Sequence, residues 1–96
     1  MNQMIWKFPL DKAMGDIVAV SMPKGARILH FDKQGEVPTL WAIFDHNNRE
    51  ALVTRTFQII GTGEMIHPSQ TERSTYIGTW QTAGGFVWHL FEWTAF

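Results

Sequence analysis

The sequence predicts an all-β fold, or a β-rich one with at most one short helix: a small antiparallel meander, sandwich or barrel of about six or seven strands. Three observations predict it. Short runs of β-branched and aromatic residues alternate in side-chain character along most of the 96-residue chain. Turn signals rich in Gly, Pro, Asn and Asp separate those runs at short intervals. Finally, the segment 75–93 (TYIGTWQTAGGFVWHLFEW) sets two such runs on either side of Ala83-Gly84-Gly85, which reads as a hairpin because a Gly pair can turn with positive φ.

Met4 to Phe8 alternates, with Met4, Trp6 and Phe8 on one side, and reads as a first strand ended by Pro9. Leu10 to Ile17 has apolar residues at helical spacing, but Gly15 and the short length make it mostly loop. Asp16 to Met22 is a second strand, stopped by Met22-Pro23-Lys24-Gly25, which suits a type I turn. Ala26 to Asp32 runs into Asp32-Lys33-Gln34-Gly35, read as a hairpin loop with a bulge at Gly35. The return arm starts at Glu36, is interrupted at Pro38 and resumes as Leu40 to Asp45, apolar on both faces.

The polar stretch Asp45 to Glu50 is the plainest turn signal in the chain. Ala51 to Ile60 is the most regular strand, with Ala51, Val53, Arg55, Phe57 and Ile59 on one face. Gly61-Thr62-Gly63 breaks it, and Glu64 to Ser74 is read as a loop bent at His67-Pro68, where a short helix is the alternative. In the last arm Val87, His89, Phe91 and Trp93 oppose Phe86, Trp88, Leu90 and Glu92, so large groups sit on both faces. Such a strand belongs inside a sandwich or barrel, or meets a second subunit or a ligand.

Composition narrows the class. A chain of 96 residues makes a single domain, 1–96, with little stability to spare, and association would help it. Eight Lys and Arg against nine Asp and Glu leave a net charge of −1 with no basic run, which argues against duplex nucleic acid as a partner. The absence of Cys excludes disulfides, thiolate zinc sites and a Cys nucleophile. The opening MNQMIWKFPLDK has no signal-peptide core, and no apolar run nears the ~20 residues of a membrane-spanning helix. A soluble, cytoplasmic protein is expected.

No constellation announces catalysis. His30, His46, His67 and His89 are scattered, and although His30 and Asp32 share a strand face, a metal needs further ligands. Ser21, Ser69 and Ser74 lie in turn or loop contexts without an elbow motif, and the carboxylates Asp45, Glu50, Glu64 and Glu72 fall in loops where solvation explains them. The expectation is a non-enzymatic protein without cofactor or metal.

Binding is better represented. Five Trp exceed what a core of this size needs, so some of Trp6, Trp41, Trp80, Trp88 and Trp93 are candidates for an interface or a stacking site, against the alternative of an aromatic-rich core. Arg55 stands on an apolar strand face, where a buried charge must be satisfied. An ion pair with Glu92 or Asp32 is the structural reading, and a planar clamp for phosphate the functional one. With Trp41, Trp80 or Trp88 as a stacking wall, Thr62 in a Gly turn that could meet phosphate, and Gln81 and His89 as polar readers, these residues form a candidate site for a nucleotide-like ligand.

Several segments together carry a resemblance: Phe8-Pro9-Leu10-Asp11, MPKGARIL from Met22 to Leu29, LWAIFD from Leu40 to Asp45, RTFQIIGTGEMI from Arg55 to Ile66, and YIGTWQTAGGFVWHLFE from Tyr76 to Glu92. They resemble an uncharacterised family of small bacteriophage and prophage proteins, over nearly the whole chain. The resemblance implies a phage accessory protein made in the cytoplasm of the infected bacterium, and it assigns no catalytic residue. Counter-defence is the role expected on this basis. One form is a homo-oligomer that sequesters a nucleotide-like immune signal, and the other an inhibitor that binds a host defence protein through the aromatic C-terminal hairpin. A structural phage protein is the remaining alternative.

Overall fold

The computed structural model describes residues 2–10 and 17–94. Seven strands form two antiparallel sheets. In chain order they are β1 (Gln3–Pro9), β2 (Ile17–Pro23), β3 (Arg27–Gln34), β4 (Val37–Asp45), β5 (Leu52–Gly61), β6 (Ser74–Gln81) and β7 (Val87–Trp93). One sheet has the order β1-β4-β3 and the other β2-β5-β7-β6. The all-β expectation therefore holds, and its architecture is a sandwich. The expected loop from Leu10 to Ile17 lies largely outside the described residues.

Alternation decides which side chains meet between the sheets. From β4 come Leu40, Ala42 and Phe44, and from β5 and β7 come Phe57, Ile59 and Leu90, all buried in one cluster with Val18, Met22, Phe31 and Trp80. Met4, Trp6 and Phe8 of β1 pack against that cluster, and the Trp6 ring meets Phe44 edge-on at 4.7 Å. At the far edge β3 lies close to β6, where a side chain on Gly78 would start 3.3 Å from the Phe31 ring. That approach brings the two sheets together along one side.

Three local readings are corrected. The turn after β2 spans Pro23 to Ala26, with the Ala26 amide donating to the Pro23 carbonyl at 3.0 Å and Gly25 at φ +78°, which is the third position of a type II turn and not the fourth of a type I. It carries the chain from one sheet to the other. The β3–β4 hairpin closes in the two residues Gly35 and Glu36, with Gln34 paired to Val37, and the irregularity in β3 falls between Ile28 and His30 instead of at Gly35. Nor does Pro38 interrupt β4. Its carbonyl accepts from the Leu10 amide (2.8 Å), and since both backbone polar groups of a strand residue face the same neighbour, the donor it lacks points past the end of β1 and not at β3.

The two polar connections gain short helical pieces. Asp45 caps a 3₁₀ turn at His46–Asn48, accepting from the Asn47 amide at 2.9 Å. The expected loop after β5 contains a five-residue helix, α1 (Pro68–Glu72), and His67-Pro68 supplies its start. Pro68 fits the first turn, where its missing N–H costs nothing, the His67 ring accepts from the Ser69 amide, and the Gln70 side chain accepts from the His67 amide at 2.8 Å.

Candidate functional site

The candidate site is a cleft of about 360 Å³ where the end of β5 meets the start of β7. Its two walls are turns. On one side β5 ends in a reversal from Gly61 to Glu64, closed by the Glu64 amide donating to the Gly61 carbonyl (3.1 Å), with Gly63 at φ +92° in the third position. On the other side is the β6–β7 hairpin loop, in which the Gly85 amide donates to the Thr82 carbonyl (3.1 Å). Thr82 also pins Phe86: the threonine hydroxyl accepts from the Phe86 amide (3.0 Å) and donates to the Phe86 carbonyl (3.3 Å).

Phe86 is held by its backbone while the residue stays 66% exposed. The ring stacks beside Trp88, with centroids 6.2 Å apart and planes 26° from parallel. Trp88 in turn lies against Gly61, its register partner on β5. A side chain starting at Gly61 would be 3.1 Å from the Trp88 ring and 3.1 Å from a carboxylate oxygen of Glu64, so the indole and the carboxylate close over a position that only glycine leaves open. The cleft thus has aromatic side chains from Phe86 and Trp88 and a carboxylate from Glu64.

The residues singled out from the sequence are partly gathered here. Thr62 and Trp88 line the cleft. His89 points to the opposite face of the four-stranded sheet, where one ring nitrogen shares a hydrogen bond with the Thr62 hydroxyl (2.7 Å) and the other with the Thr79 hydroxyl (3.0 Å). The Tyr76 hydroxyl extends that chain to Thr79. Gln81 is exposed beside Val87 on the same outer face.

The remaining three lie elsewhere. Trp80 is buried in the core, opposite Trp88 across the β6–β7 ladder. Trp41 lies half-buried on the outer face of the other sheet, beside His30. Arg55 is engaged within the sandwich: its Nε and Nη2 donate to the two carboxylate oxygens of Glu92 (2.5 and 2.7 Å) and its Nη1 to the Ala26 carbonyl (2.5 Å). The ion-pair reading of Arg55 is the one the structure shows, with Glu92 as the partner. Asp32 instead faces His30 at 3.6 Å in an exposed pair.

Glu64 and Phe86 are the site residues that sequence reasoning misses. Along the chain Glu64 reads as one of several solvated loop carboxylates, and Phe86 as one more strand aromatic. The available signal is positional: each follows a glycine turn at the same end of neighbouring strands. Among the described residues no group of three or more His, Asp or Glu is placed to hold a metal ion.

An antiparallel β-sandwich with one aromatic, carboxylate-bearing cleft at a sheet end is the class of protein these features define. The chain belongs to the DUF7352 family, a domain of unknown function, whose family model matches residues 1–95. Comparison with curated proteins and with solved structures found no match.

Proposed function

We propose that this chain is a non-enzymatic binding module that docks a protein partner at the cleft formed by the Gly61–Glu64 turn and the tip of the β6–β7 hairpin. The observation that carries this reading is Phe86, an aromatic residue 66% exposed on a backbone that Thr82 holds from both sides. Preset aromatic prongs beside a recess are what protein interfaces use as energetic anchors, because little side-chain freedom is lost on binding. Met65, 99% exposed on the adjoining segment, extends the apolar surface.

The function first expected from sequence, sequestration of a nucleotide-like signal, needs a cation for phosphate. Arg55, the residue proposed for that task, spends its donors on Glu92 and Ala26, and the charged group lining the cleft is a carboxylate. Geometry therefore favours protein docking. The biological setting is the one the resemblance implies: a phage accessory protein in the cytoplasm of the infected bacterium, where the partner is a host defence protein. Self-association belongs to the same reading, supported by β2, an edge strand whose sequence IVAVSMP bears no charge.

The test is affinity capture from phage-infected bacteria with the wild-type chain and with Phe86→Ala. One captured host protein, lost with Phe86→Ala while the circular dichroism and melting curves match wild type, is the expected result. Equal capture by both forms would remove the cleft from the interface. Retention of an intact nucleotide by the wild-type protein would return the sequestering alternative.

A further inference from the structure

We infer that the cleft receives a planar cation, the guanidinium of an arginine side chain on the partner, with Glu64 as its counter-ion and Phe86 as its stacking surface. This rests on the docking reading above and adds the chemistry of the group that docks. Three features of the site converge on it.

The first is charge. Glu64 is the charged residue among those lining the cleft, and among the described residues no ion pair to it is found. Its carboxylate is brought over Gly61, 3.1 Å from where a side chain there would begin, and so it sits at the recess next to the Trp88 ring. A carboxylate in that position repels an anionic ligand and favours a cationic one.

The second is the aromatic wall. Phe86 stacks on Trp88 with planes 26° from parallel, and at 66% exposure it leaves its outer aromatic face open. A cation over an aromatic face is attracted by the ring quadrupole, and arginine, being flat, stacks while still presenting its N–H edge to a carboxylate. An ammonium group satisfies the charge but not the flat surface. A neutral aromatic ligand satisfies the surface but leaves Glu64 without a partner.

The third is the polar rim. Thr62 lines the cleft, but its hydroxyl is joined to His89 at 2.7 Å on the outer face of the sheet, so the side-chain acceptor lining the cleft is the Glu64 carboxylate. A guanidinium has five donors in a fixed fork, two of which suit the paired oxygens of that carboxylate.

The experiment is a two-dimensional ¹H–¹⁵N titration of the full chain with acetyl-Gly-Arg-Gly-amide, alongside the citrulline peptide, which has the same shape without the charge. Expected are saturable shifts at the amides of Gly61, Thr62, Gly85 and Phe86 with the arginine peptide, and binding about fivefold or more weaker with citrulline or with Glu64→Gln. Phe86→Ala should weaken the arginine peptide by a similar factor. Equal binding of the two peptides, undiminished binding to Glu64→Gln, or no shift at these amides would each overturn the inference.

The two ideas fail separately. If Phe86→Ala abolishes partner capture while citrulline and Glu64→Gln leave the peptide titration unchanged, docking stands and the arginine assignment falls. If the peptide binds as expected but no capture depends on Phe86, the cation site stands and the docking reading falls.

Discussion

Arg55 on β5 holds Glu92 on β7 in a two-pronged ion pair on the inner face of the four-stranded sheet, and the third donor of the same guanidinium caps the Ala26 carbonyl. Their side chains are only 22% and 12% exposed. The pair therefore closes one end of the core, and links the two middle strands of that sheet to the corner between β2 and β3.

Arg55→Ala leaves Glu92 mostly buried without a counter-charge, so we expect a loss of about 3 kcal/mol, near the low end for buried pairs because some water reaches both groups. Arg55→Met combined with Glu92→Leu should recover all but about 1 kcal/mol, the remainder reflecting the orphaned Ala26 carbonyl. Urea denaturation measures both. An Arg55→Ala protein within about 0.5 kcal/mol of wild type would mean that the pair holds nothing together.

Gly78 and Phe31 give the second prediction. A Cβ at Gly78 would stand 3.3 Å from two Phe31 side-chain carbons, and Phe31 is buried where β3 meets β6. Gly78→Ala requires Phe31 to give way by a few tenths of an ångström in a packed edge, at an expected cost of about 1–3 kcal/mol. Gly84→Ala is the control, because its nearest neighbours would lie at 3.8 Å and its φ is not positive. Thermal unfolding should separate the two, and equal melting temperatures would show that β3 and β6 are free to give way.

Thr82 supplies the third. Thr82→Val keeps the shape and removes the hydroxyl that both donates to and accepts from the Phe86 backbone. Stability should fall by only about 0.5–1.5 kcal/mol, the net worth of an ordinary hydrogen bond. Partner or peptide affinity should fall further than that loss explains, since the bound position of Phe86 must then be ordered on binding. Faster amide exchange at Phe86 would report the loosened tip, whereas unchanged exchange and affinity would show that the hydroxyl does not preset the ring.

Much of the fold is legible in the sequence because strand alternation is a local property. Ala51 to Ile60 reads as one strand from its own residues, and the split of the last arm into Leu90 inward and His89 outward comes from a period of two. Arg55 and Glu92 can be matched for the same reason, since a charge on an inward face demands an opposite one there. Turn geometry is less legible at Pro23-Lys24-Gly25, where both turn types accept Pro and Gly nearby and only the tertiary path from one sheet to the other selects between them. The site is hardest. Glu64 and Phe86 are separated by more than a strand of sequence, and they meet only because β5 and β7 are neighbours, a pairing that no local pattern reveals.

Self-association should run through β2. This strand is at one edge of its sheet, and its seven residues include no Lys, Glu or Asp of the kind that discourages strand-to-strand pairing. By contrast β1, at an edge of the other sheet, carries Lys7, β3 carries Arg27, Asp32 and Lys33 with an irregularity after Ile28, and β6, the other uncharged edge, lies against β3. An antiparallel pairing of β2 with β2 of a second copy is the arrangement these differences favour, and it would continue the four-stranded sheet across a twofold axis. Native mass spectrometry at micromolar concentration should then show a dimer. Ala19→Lys places a charge at an exposed position in the middle of that edge and should shift the population to monomer without changing the fold. A wild-type monomer, or a dimer indifferent to Ala19→Lys, would move any association away from β2.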